Sequence, residues 1–487
     1  MKILEVSSEV APFARTGGLG DVLGALPRAL AKLGHEVTVC MPRYAHLPLP
    51  EQVLGRPDWS LPIPVGGKTT DVTLAVHKER RSKVTYWFIE NEHYFHRDHL
   101  YRDPDTGDDF VDNDERFIVF CRSVLEAARR FDWKPDLIHC HDWQAGLVPV
   151  LLKSAYVSDA MFADVKSVLT IHNLGYQGVF DAKTFPKIGV PDDLFYAVTG
   201  PLEFFGKVNY LKGAIVMADK VTTVSRQYAE EIQSSEEIGA GLQDVLRQRS
   251  DDLSGIVNGV DYTVWSPSRD KKAPYRFNLA NLSGKRMVKV ELLNKAGLPV
   301  RDRAPLIGII SRLADQKGFD LIAEAADDLF KLDIQMILLG TGDATYHKLF
   351  QDLQKRYPDQ LKAYLTFDDD LAHWIEAGAD MFLMPSRYEP CGLNQMYSLK
   401  YGTVPIVRRV GGLADTVVDY DASNQSGTGF VFDEYTAEAM MAAVGRAIDL
   451  YERKRPWMKL MKNGMRRDFS WDASARQYAA LFEGLVS

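Results

Sequence analysis

The stretch Ser386 to Thr403 carries a carboxylate, Glu389, followed directly by a Pro-Cys-Gly turn (Pro390, Cys391, Gly392). A segment of helical spacing comes next, marked by Leu393, Met396, Tyr397 and Leu399. A carboxylate accepts hydrogen bonds from hydroxyl groups, and free backbone N–H groups at a helix start (Gly392, Leu393, Asn394) favour an anion. Hydroxyls and an anion together describe a sugar joined to phosphate. Arg312 and Lys317 sit five apart on a loop between an apolar run and a helical segment, a spacing that can set two cations around one diphosphate. The Gly411-Gly412 helix start would add N–H donors. As an isolated pair, the two cations also read as ordinary surface charges. Near the N-terminus, Arg15 and Thr16 precede a second glycine pair, Gly17-Gly18, at another helix start. That pattern brings one guanidinium and backbone N–H groups to a phosphate; a glycine-rich turn with a solvent-facing arginine is the plainer alternative.

Each of these groups follows an apolar run that reads as a buried strand. Ala379 to Pro385 precedes Glu389, Leu306 to Ser311 precedes Arg312, and Lys2 to Ser7 precedes Arg15. Val22 to Leu33 has helical spacing, Gly34 ends it, and Glu36 to Met41 is a second strand. Strand, glycine loop, helix and strand begin a doubly wound parallel sheet, and Leu306 to Leu339 repeats the unit. Neither glycine loop fits G-x-G-x-x-G or a P-loop, which argues against a dinucleotide oxidoreductase. Three further strands end in polar groups: Pro135 to Gln144 (His139, His141, Asp142), Val168 to Asn173 (His172, Asn173) and Lys220 to Ser225. Delivered to one edge, these groups suit a cleft lined for a polyhydroxyl ligand. Thr70 to Ile89 reads as antiparallel strands added at a sheet edge, and the long aromatic stretch Gln177 to Phe205 as a flap or acceptor surface. The Asp-x-Asp triplets at Asp103 to Asp105 and Asp112 to Asp114 read as turn and cap residues rather than metal ligands.

With 487 residues the chain needs more than one core. The expected division is 1–252, 253–455, and terminal helices over 456–487 carrying Trp457, Trp471, Tyr478 and Phe482. A net charge of −8 argues against nucleic acid as a partner, so any bound anion must be held by local positive charge. The four cysteines (Cys40, Cys121, Cys140, Cys391) form no CxxC pair, which indicates neither a zinc site nor a disulfide framework. No signal peptide and no apolar run of membrane-spanning length is evident, and a cytoplasmic location is expected.

The ordered motifs resemble those of bacterial glycogen synthases and plant starch synthases from Met1 to the last helix. They are R-T-G-G-L-G-D-V within and just after Ser7 to Asp21, H-x-H-D-W-Q at His139 to Gln144, and T-I-H-N at Thr170 to Asn173. N-G-V-D at Asn258 to Asp261, S-R-L-x-x-Q-K-G at Ser311 to Gly318, P-S-R-x-E-P-C-G-L at Pro385 to Leu393, and G-G-L-x-D-T-V at Gly411 to Val417 complete the set. The resemblance implies an α/β fold of two Rossmann-like doubly wound domains facing a central cleft (the GT-B architecture), with the terminal helix crossing back to the first domain. It implies a retaining glucosyltransferase that adds glucose from ADP-glucose to the non-reducing end of an α-1,4-glucan, with UDP-glucose as the alternative donor. No cofactor, metal, nucleic acid or membrane is implied. By the same resemblance, Arg312 and Lys317 hold the donor diphosphate, Arg15 the distal phosphate, and Gly18 gives a backbone N–H. Glu389 accepts glucose hydroxyls, Cys391, Gly392 and Leu393 contact sugar and phosphate, and Asp21 lies near the donor sugar. His141 lines the glucose and acceptor side with Asn258 beside it. Phe367 lies under the adenine, and Tyr397, Gly411, Gly412 and Thr416 complete the donor side.

Two positions depart from relatives. Arg15 stands where the family pattern has Lys, so a planar fork replaces a compact ammonium. Tyr397 stands eight residues after Glu389, where related sugar transferases carry a second glutamate. The implied chemistry is charge stabilisation: two cations and helix N-termini offset the charge building on the departing diphosphate, and domain closure completes the site. The competing expectations are a UDP-sugar transferase or sugar-nucleotide hydrolase acting on a small acceptor, and a silent glucan-binding protein.

Overall fold

The computed structural model describes residues 1–45, 47, 54–197, 199–301 and 303–487. The chain divides into two compact units. The first comprises Met1–Val224, Ala229–Gly259 and Trp471–Ser487; the second comprises Ser225–Tyr228 and Val260–Ser470.

The first unit is built on strands β1 (Lys2–Val6), β2 (Glu36–Pro42), β3 (Leu54–Val65), β4 (Lys68–Lys78), β5 (Thr85–Glu90), β6 (Leu137–His141) and β7 (Lys166–Ile171). β8 (Val179–Phe180), β9 (Glu203–Phe204) and β10 (Lys207–Asn209) form a small separate sheet, while β11 (Lys220–Thr223) and β12 (Leu253–Gly255) rejoin the main one. Its order is β12-β11-β7-β6-β1-β2-β5-β4-β3. Strands from β12 to β5 run parallel, and their apolar side chains are buried as expected of a sheet covered on both faces. The order reverses between β1 and β6, so the loops after these two strands flank a switch point, where open α/β sheets bind ligands. The helix after β1 runs Gly18–Lys32, starting at the second glycine of its pair rather than at Val22. It buries Leu19, Val22, Leu23, Leu26 and Leu30.

The second unit has β13 (Leu306–Ile310), β14 (Gln335–Leu339), β15 (Leu361–Tyr364), β16 (Met381–Met384), β17 (Val404–Arg408) and β18 (Phe430–Phe432). They form one parallel sheet ordered β15-β14-β13-β16-β17-β18. Here the reversal falls between β13 and β16, the strands that precede Arg312 and Glu389.

Three expectations need correction. β5 pairs parallel with β2, with Val39 opposite Tyr86, so within Thr70 to Ile89 only β4 is antiparallel to its neighbours. Tyr86, Trp87, Phe88 and Ile89 are all buried, which suits an interior strand and not an edge. The first unit extends to Gly259 instead of ending at 252, because β12 hydrogen-bonds to β11 through the Val221–Leu253 register. The terminal helices also separate. Trp457 and Leu460 of Lys454–Met465 lie in the second unit's core, while Trp471, Tyr478 and Phe482 of Trp471–Val486 lie in the first unit's core. Among the described residues, no helix is long and apolar enough to cross a membrane.

Candidate active site

In the second unit, the loops after β13 and β16 are stitched together. Arg387 N–H donates to the Gln316 carbonyl at 2.8 Å, Gln316 Nε2 to the Tyr388 carbonyl at 3.2 Å, and Asn394 Nδ2 to the Ile310 carbonyl at 2.6 Å. Gly318 permits this approach. Its φ is +73°, and a Cβ there would sit 2.0 Å from the Pro385 carbonyl oxygen. The stitching carries Lys317 Nζ to 2.6 Å from Glu389 Oε2, an oxygen that also accepts from Ser386 Oγ at 3.1 Å. The Arg312 guanidinium is exposed and has no partner among the described residues. The N–H groups of Gly392 and Leu393, just before the helix Asn394–Tyr401, likewise meet no acceptor there. A free guanidinium, a paired ammonium and open N–H donors surround one carboxylate, a set suited to a phosphorylated polyol.

The glycine pair Gly411-Gly412 behaves differently from expectation. Gly412 N–H donates to the carbonyls of Glu389 and Pro390 at 3.1 and 3.2 Å, so it is not available to a phosphate. A Cβ on Gly411 would lie 1.9 Å from the Glu389 carbonyl oxygen, and one on Gly412 2.0 Å from that of Cys391. The pair lets one backbone pack directly on the other and so fixes the turn that carries Glu389. Thr416 is also spent within the protein. Its Oγ1 donates to the Gly412 carbonyl at 2.6 Å and accepts from Gln395 Nε2 at 3.1 Å. Cys391 is buried. Tyr397 is buried with its ring stacked 4.0 Å from Trp265, which stacks 3.8 Å from His373 on its far side. Phe367 stands apart, 76% exposed, on the loop after β15.

In the first unit, the loop after β1 is organised by Glu9. Its carboxylate accepts from Thr16 N–H (2.6 Å), Thr16 Oγ1 (2.7 Å), Gly17 N–H (3.3 Å) and the Tyr101 hydroxyl (2.8 Å). Gly18 N–H is left without an acceptor among the described residues. Arg15 is half-exposed and reaches Asp21 at 3.2 Å. Asn258 is buried with its Oδ1 unpartnered among the described residues, although an interior carbonyl oxygen normally finds a donor.

Across the switch point, Glu5 of β1 is fully buried. One of its oxygens lies 2.8 Å from His141 Nε2 and 2.9 Å from His139 Nδ1, while His141 Nδ1 lies 2.9 Å from His172 Nε2. Burial alone would raise the Glu5 carboxyl, but His139 and His141 outweigh it and hold it at about 2. Burial and His139 press His141 down to about 4 against the pull of Glu5. Burial raises Asp142 to about 7, although the His172 and Asn173 N–H groups work the other way. Glu5, His139 and His141 offer metal-binding atoms within 4.8 Å of one another. The 2.8 and 2.9 Å separations are hydrogen-bond lengths, shorter than the roughly 3.3 Å between neighbouring ligands around tetrahedral zinc.

Residues 2–248 match the family described as starch synthase catalytic domain, and residues 292–463 match glycosyl transferases group 1. A glycogen synthase of Koribacter versatilis is 48% identical over 99% of this chain and 98% of its own length. One from Thermotoga maritima is 44% identical, with the same coverage of both chains. The chain belongs to the glycogen synthase and starch synthase family. A solved structure of the starch synthase IV catalytic domain from Arabidopsis thaliana, bound to ADP and acarbose, is 33% identical and superposes with a TM-score of 0.90 over 99% of each chain. The two Rossmann-like units are therefore those of the GT-B fold, and the chain is a glycosyltransferase of glycogen or starch synthesis. A sucrose-phosphate synthase from Thermosynechococcus elongatus, 19% identical with a TM-score of 0.61, shares the fold.

Two residues built into these sites, Glu5 and Trp265, escape the sequence motifs, and two more, His172 and Asp142, are named there without their partners. Glu5 is signalled only by a charge between the apolar Leu4 and Val6 of the strand Lys2–Val6. His172 and Asp142 lie within quoted motifs, yet their partners are about 30 positions away. Trp265 has no signal beyond lying four residues after the N-G-V-D motif.

Proposed function

We propose that this enzyme transfers glucose from ADP-glucose to the non-reducing end of an α-1,4-glucan with retention of anomeric configuration. The observation that carries the reading is the cluster at the second unit's switch point: unpaired Arg312, the Lys317–Glu389 pair, and the open N–H groups of Gly392 and Leu393. Arg312 and Lys317 take the diphosphate, Glu389 accepts glucose hydroxyls, and Phe367 offers a ring to the adenine. Arg15 and Gly18 take the distal phosphate, with Asp21 near the donor sugar, and His141 with Asn258 forms the edge toward the acceptor. Lys317 carries three N–H donors, so it can serve Glu389 and a phosphate oxygen together.

In the reaction, the bond from glucose C1 to the β-phosphate oxygen breaks as the acceptor 4-hydroxyl bonds to C1 on the same face. The departing phosphate oxygen takes the hydroxyl proton, so ADP leaves and the glucan grows by one glucose. Negative charge builds on the diphosphate as the bond breaks, and preorganised cations stabilise it more than they stabilise the ground state. Adenine as the base is supported by the starch synthase IV relative with bound ADP. A cytoplasmic location accompanies this reading.

Nucleotide release is measured with ADP-glucose and UDP-glucose, with and without glycogen, and the new linkage is read by NMR. Release that needs glycogen, prefers ADP-glucose and yields α-1,4 linkages is expected. Release without glycogen, or a β-linked product, would contradict the reading.

A further inference from the structure

The run from Arg453 to Arg467, R-K-R-P-W-M-K-L-M-K-N-G-M-R-R, holds seven cations and no carboxylate in a chain whose net charge is −8. Most of it is the helix Lys454–Met465 of the second unit, and Arg466 continues its backbone conformation. At about 100° per residue, Lys454, Met458, Lys462, Arg455, Arg466 and Lys459 fall in that order within a sector of about 140°. Trp457, Leu460, Gly464 and Met465 lie on the other side and are buried. The outward sector is a cationic strip about 18 Å long. Met458, 48% exposed, is its one apolar side chain.

Other helices of this chain neutralise their surface cations. Arg129, Arg247 and Lys355 each pair with a carboxylate three positions earlier on the same helix. None of the seven cations here pairs with a carboxylate among the described residues. Arg455 with Lys459, and Lys462 with Arg466, set like charges four positions apart, where they repel. Arg453, Lys454 and Arg455 crowd the helix N-terminus, where the macrodipole disfavours positive charge. Lys459 Nζ lies 3.4 Å from the Asn424 carbonyl and 3.4 Å from Gln425 Oε1, neutral acceptors that leave its charge uncompensated. Asp421 of the same loop is spent on its own turn, accepting from the Ser423 N–H and hydroxyl and from Asn424 Nδ2. The strip therefore weakens the fold locally, and opposite charge brought from outside would relieve it.

We propose that this strip docks an acidic segment of another protein, with carboxylates against Arg455, Lys459, Lys462 and Arg466 and an apolar side chain against Met458. Guanidinium forks hold carboxylates through paired hydrogen bonds, and a methionine adapts to the apolar side chain it meets. Two other polyanions fit less well. A helix that lies on a membrane buries its apolar face in lipid, and here that face is in the second unit's core. Single-stranded nucleic acid is held by stacked aromatics, and Trp457, the one aromatic of the run, is buried. A neutral glucan offers the strip no charge, so the surface serves a purpose apart from the sugar chemistry.

The full chain is titrated, by fluorescence anisotropy, into a short labelled peptide of aspartate and glutamate with leucine at its centre, and into the same peptide with serine there. Saturable binding that weakens as salt is raised, and is about three- to tenfold tighter for the leucine peptide, is expected. Lys454→Glu/Arg455→Glu should weaken binding by about 10–30-fold and leave glycogen-dependent turnover unchanged. The same variant takes cations from a helix N-terminus and sets a carboxylate four positions before Lys459, so its melting temperature should hold or rise. Met458→Ser should erase the preference for the leucine peptide. A fall in melting temperature of the charge-reversed variant would assign the cations to the fold and overturn the proposal. Equal binding of the two peptides, undiminished binding by the charge-reversed variant, or no saturable binding would overturn it too. Oligouridylate of equal charge and phosphatidylcholine vesicles containing phosphatidylserine are run alongside, and binding of either as tight as that of the leucine peptide would do the same.

Discussion

Lys317 and Glu389 lie 72 positions apart in the chain and 2.6 Å apart in the fold. Their types and their places after apolar runs were legible in the sequence, because charge directly beyond a buried strand stands out. Their contact was not, since pairing across a parallel sheet depends on strand order. The pairing gives Glu389→Gln two effects: the glucose-hydroxyl acceptor weakens, and the Lys317 charge loses its partner. Turnover is expected to fall by about 2–4 kcal/mol in transition-state stabilisation, checked by kcat/KM, with little change in melting temperature because Lys317 remains partly solvated. The buried histidines carry a separate expectation. His141 in the unfolded chain takes a proton near its ordinary value of 6.5, and in the fold only near 4. The unfolded state therefore binds more protons between these values. The contribution of neutral His141 is full above about pH 6.5 and is lost as pH falls toward 4, reaching up to about 3 kcal/mol. Asp142, raised to about 7, works in the opposite direction over the same range, so the histidine part is read by comparison: any drop in urea midpoint between pH 7 and pH 5 should be smaller in His172→Gln than in wild type, because that variant has one titrating histidine fewer in the network. An unchanged drop would show that the acid sensitivity arises elsewhere.

At the scale of elements, both glycine pairs were visible, but for Gly411-Gly412 the reading as an N–H donor to phosphate does not fit Gly412. A glycine pair at a helix start resembles an anion cradle, yet Gly412 spends its N–H on the Glu389 and Pro390 carbonyls. Sequence cannot distinguish a glycine that donates to a ligand from one that admits a neighbouring backbone; both require the absence of Cβ. The close approaches make the substitution effects specific. Gly411→Ala and Gly318→Ala each place a methyl about 2 Å from a carbonyl oxygen at positive φ (41° and 73°). Each is expected to cost more than about 1–3 kcal/mol and to lower both melting temperature and turnover, because both hold the loop bearing Glu389. Gly445→Ala, on the open face of the helix Ala437–Tyr451 with nothing within 4 Å of the added methyl, should be neutral or slightly stabilising. β5 shows the same limit: its continuous apolar run from Tyr86 to Ile89 was clear, while its parallel pairing with β2 could be seen only once β1 had taken the centre of the sheet.

At the scale of the whole molecule, two doubly wound units were legible because each repeats strand, loop and helix with its polar residues at strand ends. The point where the chain passes between units was less legible, because β12 is a three-residue strand with little signal of its own. The C-terminal helix Trp471–Val486 closes the first unit's core with Trp471, Ala475, Tyr478, Ala479 and Phe482. A chain ending at Ser470 should therefore lose the melting transition of the first unit, or fail to accumulate as soluble protein, despite retaining every motif residue. Calorimetry of the truncated protein checks this, and an unaltered transition would contradict it. The account as a whole depends on positive charge in the second unit meeting the charge that develops on a departing diphosphate. Single-turnover transfer from ADP-glucose to glycogen by Arg312→Ala/Lys317→Ala, compared with wild type, tests that most directly. A fall of at least about 10²–10³-fold in the transfer rate, with the fold and glycogen binding retained, is the predicted result. A rate within a few-fold of wild type would contradict it.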